Sequence, residues 1–284
     1  MSAPTAAGSE RQLVWLYTPA AARADVAALL ALEAEIGAGA RPGLEHGIAH
    51  ARLAWWVEET AALAAGRATH PLGRQLTARF AAHDLSPPDL RGLVRSVRCD
   101  LACTAFESTD EYTEYLSFWS QAVFRNLALC LAPQPEARAA LERFCGIAGP
   151  AVRDIELIAR LAADARLGRV HLPLIDALAA SGYAAWQQQP WPPAQVATLR
   201  ERLATRRAAL GDAARALPLA QRPGLRPLLV WCALAERHAG RCQAALPFQY
   251  DAGRFDAMAA AWRAWRTALA AARGRLPAAL QESR

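Results

Sequence analysis

At 284 residues the chain is long enough to bury a sizeable core, as one large domain or two small ones. Hydrophobic residues make up 54%, with Ala and Leu dominant and apolar runs broken by Pro and Gly, a pattern that points to an all-α protein. The formal net charge of +6 is mild, and all 32 basic residues are arginines that form no tract, which argues against nucleic acid and favours an anionic small molecule or an anionic membrane face.

The six cysteines (Cys99, Cys103, Cys130, Cys145, Cys232 and Cys242) form no CxxC and sit in helical, apolar surroundings. They read as core residues, Cys99 and Cys103 one turn apart, rather than as a zinc site or disulfide framework, and a reducing compartment fits. No basic-then-apolar leader opens the sequence, and no run approaches the roughly 18 apolar residues of a membrane span. The expectation is a cytoplasmic protein, at most peripheral to the inner membrane.

In chain order, residues 1–11 read as a disordered terminus, with a single domain over 12–275 and a tail over 276–284. Thr18-Pro19 reads as an N-cap with proline at the first helical position, opening a helix to Ile36. Gly37 to Gly43 is a loop. Helices follow from Leu44 to Ala65, from His70-Pro71, and from Asp89 to Cys103. Ser108-Thr109-Asp110-Glu111 caps a long helix through Leu131, which Pro133 and Pro135 end. Glu136–Ile147 forms another, and the next starts near Pro150. Residues 174–183 read as a short helix, and three more cover Pro193–Leu217, Leu225–Gln243 and Asp251–Arg273.

The stretch from Arg153 to Pro173 is the most informative. Ile155, Leu157, Ile158 and Leu161 recur at helical spacing, Asp164 falls near the helix end, and Gly168 is a natural stop. Arg166 and Arg169 are placed to meet the last carbonyls. Glu156 and Asp164, two turns apart, are expected on one face.

Several stretches in order resemble the squalene/phytoene synthase family of head-to-head prenyl transferases. They are RLAWWVEETAALAAGRATHPLGRQL (52–76), DLACTAFESTDEYTEYLSFW (100–119) and DARLGRVHLPLIDALAASGY (164–183), with order and spacing agreeing over roughly residues 15–240. The resemblance implies the isoprenoid synthase fold, a helical bundle around a central apolar cavity. It also implies two aspartate-rich motifs that hold Mg²⁺ against a prenyl diphosphate, since hard oxygen ligands and divalent ions stabilise a departing diphosphate. Aligned on this family, the first motif falls on Glu35–Arg41 and contains no aspartate, with Arg41 at one of its positions. The second falls on Ala159–Asp164 and keeps Asp164 alone, with Arg160 at its other aspartate position. Glu156 stands where the family usually has an asparagine, and His171 where it has a tyrosine. Gln121 and Phe124 replace small residues and are expected to intrude on the cavity. A branch of this superfamily that has lost the aspartates includes a mitochondrial complex I assembly factor, and this sequence resembles that branch in kind.

The expected function is therefore a non-catalytic protein that binds an isoprenoid or lipid, or serves assembly with a protein partner. The alternative is a divergent but active prenyltransferase joining two prenyl diphosphates. No cofactor is expected in the first case and Mg²⁺ in the second. Asp164 is the remnant catalytic position, and Asp164 with Glu156 are the weak metal candidates, set against a buried salt bridge. Arg160, Arg41, Arg169, Glu156 and His171 are the candidate ligand-binding residues, because arginines grip a diphosphate, carboxylate or phospholipid head without metal; pairing with the acids is the plainer reading. His46 and His50 have metal-ligand spacing beside Glu45 but no third ligand, so exposed helix positions are expected. Trp55, Trp56 and Trp119 read as bundle packing. Trp262 and Trp265 with Arg263 and Arg266 make the last helix amphipathic, fit for a partner or membrane surface or for closing the bundle.

Overall fold

A computed structural model describes residues 9–132, 138–173, 183–251 and 256–281. Among these the fold is all-helical, and its one extended feature is an isolated bridge between Phe106 and Pro173. The expected helix over 174–183 lies almost wholly outside the described residues.

The chain enters helix α1 (Glu10–Leu16) because the Ser9 side chain accepts from the Gln12 backbone N–H. Residues 9–11, expected within a disordered terminus, are instead a helix cap and the start of a helix, and α1 is docked by Arg11. Thr18 does not cap the next helix. Its hydroxyl donates back to Val14 O, and a 3₁₀ turn over Ala20–Ala22 leads into α2 (Arg23–Gly37). Helix α3 (His46–Ala64) is capped by Glu45, and α4 (Pro71–Ala81) starts on its proline as expected. After α5 (Arg91–Leu101), Ser108 accepts from Glu111 N to start α6 (Thr109–Trp119).

The long helix predicted through Leu131 widens into a π-helical stretch, Ser120–Arg125, before resuming as α7 (Asn126–Leu131). This stretch lies tight against Gly149, where an added Cβ would fall 2.0 Å from Ser120 Oγ, so only glycine permits the approach. Two predicted helices are one, α8 (Arg138–Ile158), with Pro150 inside it. The carbonyl that Pro150 leaves unpaired belongs to Gly146, which is exposed, so water can take over that hydrogen bond.

Helix α8 stops at Ile158, and α9 (Leu161–Arg166) starts after a break. Gln249 stitches the break, accepting from Ala162 N at 3.0 Å and donating to Ala159 O at 2.7 Å. Gly168, at φ +78°, ends α9: its N–H reaches Ala165 O, and Arg169 N–H reaches Asp164 O. Helices α10 (Pro193–Ala216), α11 (Arg226–Ala245) and α12 (Asp256–Ala272) complete the bundle.

Helix α8 packs against α6, α10 and α11, α2 packs against α4 and α5, and one buried apolar cluster runs from Val14 to Leu280. Of the expected tail, Leu280 belongs to it, and Leu276 and Ala279 pack against it. A 3₁₀ turn at Ala278–Leu280 buries Leu280, whose carbonyl accepts from Arg215. The bundle centre is filled by aromatic rings: Trp231 lies 5.6 Å from Trp119 and 5.7 Å from Phe124, which lies 5.8 Å from Phe144. All four are fully buried. No helix among the described residues is long and apolar enough to cross a membrane.

Candidate functional site

A cleft of about 660 Å³ opens between α2, α5 and α8, with α1 laid along it. Its wall carries Arg11, Glu33, Asp100, Arg153 and Glu156, and its rim Arg41, Arg160 and Arg169. Glu33 reaches it because Leu29, Leu30, Leu32 and Ile36 bury the same side of α2. Arg153 and Glu156, three residues apart, share a face of α8 and lie 3.6 Å from each other.

Arg11 holds the two long helices together. Its guanidinium donates to both Glu33 oxygens at 2.8 and 2.6 Å, and to both Glu156 oxygens at 3.2 and 3.3 Å. It also lies 5.0 Å from the Trp231 ring centroid. Indole N–H groups complete the two carboxylates, Trp119 to Glu33 at 2.8 Å and Trp231 to Glu156 at 3.3 Å. Burial drives the Glu33 carboxyl up, but the charge and hydrogen bonds of Arg11, with Trp119 and Arg153 behind them, hold it below the usual carboxylate range. Burial likewise works against the Arg11 charge, and Glu156 and Glu33 outweigh it, so Arg11 stays protonated at any ordinary pH.

The alternation of charge continues along the wall. Arg153 lies 3.9 Å from Asp100. Asp100 accepts from the Tyr115 hydroxyl at 2.7 Å and pairs with His171 Nε2 at 3.1 Å. The bridge between Phe106 and Pro173 brings the exit strand, and with it His171, to this place. Burial raises the Asp100 carboxyl, and His171, Arg153 and Tyr115 more than reverse that, leaving it below its ordinary value. His171 Nδ1 lies 3.7 Å from Asp164, which pairs with Arg160 at 3.3 Å. The sequence Glu33–Arg11–Glu156–Arg153–Asp100–His171–Asp164–Arg160 thus alternates acid and base throughout.

Several sequence expectations land elsewhere. Glu156 and Asp164 do not share a helical face, because the break at Ala159–Arg160 separates them into different pairings. Gln121 is exposed and lines an outer groove with Arg125 and Glu142, because the π-helical stretch rotates it away from the centre. Phe124 points inward and is fully buried. His171 is buried behind the wall and does not line the cleft. Trp56 and Trp119 are core residues, but Trp55 is exposed and rests edge-on against Trp56 and near His70. Cys103 is exposed at φ +50° in the turn after α5, not in the core, and all six cysteines are free thiols. His46 and His50 are exposed, their Nε2 atoms 2.9 Å apart, while Glu45 is used as a helix cap. Among the described residues no three His, Cys, Asp or Glu side chains gather as a metal-ligand set.

Arg11, Glu33, Asp100 and Arg153 were not singled out by sequence. Glu33 carried a usable signal: an acid at the buried spacing of an otherwise apolar helix needs a cationic partner. The model of the squalene/phytoene synthase family matches residues 5–266. The chain belongs to the squalene/phytoene synthase family. Two solved structures of similar fold are squalene synthase HpnC from Alicyclobacillus acidocaldarius and a dehydrosqualene synthase in complex with ligand. The first is 19% identical, covers 83% of this chain and 89% of its own, and superposes at a TM-score of 0.64. The second is 13% identical, covers 90% of both chains, and superposes at 0.69. No curated protein matches the sequence. At these identities the likeness to this squalene/phytoene synthase family member is one of fold.

Proposed function

We propose that this family member does not ionise prenyl diphosphates with a magnesium cluster, and that its cleft instead receives an anionic group, the diphosphate of a prenyl chain or the phosphate of a lipid head, on arginines. The observation that carries this is Arg11, whose guanidinium already bridges the carboxylates of α2 and α8. Each magnesium at a diphosphate takes one or two carboxylates beside phosphate oxygens and waters, so a cluster of ions needs several carboxylates open to it. Here Glu33 and Glu156 are committed to Arg11, Asp100 to His171 and Tyr115, and Asp164 to Arg160. The donor set does not fit the cluster that the family implies.

The rim suits an anion. Arg160 and Arg41 are exposed at the opening, and Arg41 has no ion pair among the described residues. Arg169 donates to Ala40 O at 2.8 Å while its buried Nε has no partner. Because the rings of Trp119, Phe124, Phe144 and Trp231 are fully buried, this reading runs the attached chain along the cleft rather than through the bundle centre.

The test is binding of farnesyl diphosphate by calorimetry in excess chelator. Binding should persist without Mg²⁺ and weaken at least tenfold in Arg160→Ala combined with Arg41→Ala, since each charge-assisted contact contributes about 1.5–3 kcal/mol. Affinity that appears only with Mg²⁺, or is unchanged in the double variant, contradicts the proposal. Family membership itself favours a second reading, a divergent prenyltransferase, and Mg²⁺-dependent binding would favour that one.

A further inference from the structure

Helix α12 carries a second apolar face that the bundle does not use. Its inner face, Ala260, Ala264 and Ala268, packs on Val230 and Leu234 of α11. On another side Met258, Trp262, Trp265 and Leu269 follow one another at spacings of four, three and four residues, which aligns them in one stripe. They are 71%, 59%, 46% and 38% exposed, and the two indoles lie 4.9 Å apart, tilted by 32°. Isolated exposed apolar residues need no explanation, but four large ones aligned along a 17-residue helix do.

The charge around the stripe says what covers it. Residues 257–281 contain Arg263, Arg266, Arg273 and Arg275 and no acid. Arg263 is taken up by Glu236. Arg266 and Arg273 are exposed and have no ion pair among the described residues; Arg266 follows Trp265 on the helix, and Arg273 stands in the turn directly after its last residue. A second copy of the chain, packed antiparallel on this stripe about a twofold axis, would bring like arginine charge to the same side of the contact. A surface of anionic lipid meets both features, with the indoles and Met258 at the acyl boundary and the guanidinium groups at the phosphates.

We propose that α12 docks this protein onto an anionic lipid bilayer, lying in the interface with Met258, Trp262, Trp265 and Leu269 inward and Arg266 and Arg273 on headgroup phosphates. The inference is independent of what the cleft binds.

The experiment is sedimentation of the full chain with vesicles of phosphatidylcholine alone or with roughly 30% phosphatidylglycerol, the anionic fraction that sets the surface potential. Trp262→Ser with Trp265→Ser removes the apolar contact, and Arg266→Gln with Arg273→Gln removes charge while keeping the stripe. All four positions are exposed, so circular dichroism melting should be unchanged. The expected result is binding to the anionic vesicles that falls steeply with salt, is at least tenfold weaker without phosphatidylglycerol, and is lost in the tryptophan variant. At about fivefold per arginine, the arginine variant should bind about 25-fold more weakly. Equal sedimentation with both vesicle types, or retention in the tryptophan variant, overturns the proposal. So does no sedimentation, including the case where the chain instead forms a dimer that the tryptophan variant abolishes.

Discussion

Arg11→Met keeps an unbranched apolar stem against Trp231 but removes the cation between Glu33 and Glu156. The variant leaves two largely buried carboxylates with an indole N–H on each and, as the cation left beside them, Arg153 at 3.6 Å from Glu156. Removing one partner of a buried ion pair costs about 3–5 kcal/mol. The Arg11 side chain is 26% exposed, so solvent screens part of that and about 3 kcal/mol is the expected loss. For a chain of this size each kcal/mol moves the midpoint by about 2–4 °C, giving a drop of about 6–12 °C in a melting curve at neutral pH. Combining it with Glu33→Gln should cost less than the sum of the two single variants, by about 0.5–3 kcal/mol, because the second change removes one of the stranded charges. A drop under about 2 °C, or strict additivity, would refute the reasoning that Arg11 neutralises these helices.

Acid should destabilise the fold in a defined window. Glu33, Asp100 and Asp154 sit below their ordinary values in the folded state, each raised by burial and then lowered further by its partners: Arg11 for Glu33; the hydrogen bond from His171 and the charge of Arg153 for Asp100; Arg202 and Arg206 for Asp154. The unfolded chain therefore takes up protons first, so stability is full at neutral pH and declines below about pH 4.5; equilibrium unfolding in urea at several pH values checks this, and a flat profile to pH 3 contradicts it. Phe124→Ala should cost about 3–5 kcal/mol, whereas Gln121→Ala, on the outer groove, should stay within about 0.5 kcal/mol. Comparable losses at the two positions would place them wrongly. Gly168→Ala puts a side chain at φ +78° and should cost about 1–2 kcal/mol in the same assay; a neutral result removes the argument for that helix stop.

Much of the architecture was readable from punctuation in the sequence. His70-Pro71 starts a helix, Ser108 caps one, and Gly168 ends one, because each acts on its own few residues. Pro150 misled for the same reason: the local rule says break, but an exposed Gly146 makes the missing hydrogen bond cheap. Gln121 and Phe124 were placed on a regular helix, and the π-helical stretch over Ser120–Arg125 changes which of them points inward. The break at Ala159–Arg160 was invisible because Gln249, nearly ninety residues on, holds it. The rim residues Arg41, Arg160 and Arg169 could be named from motif positions. Arg11 could not, since its partner Glu156 is 145 residues away and no periodicity connects them.

The most direct measurement is turnover itself: purified full-length protein with farnesyl or geranylgeranyl diphosphate and Mg²⁺, assayed for released diphosphate and for extracted hydrocarbon. With Arg11 seated between the carboxylates of α2 and α8, release should match the protein-free control. Steady diphosphate release accompanied by a squalene- or phytoene-length product would show that the arginines do not stand in the way of ionisation.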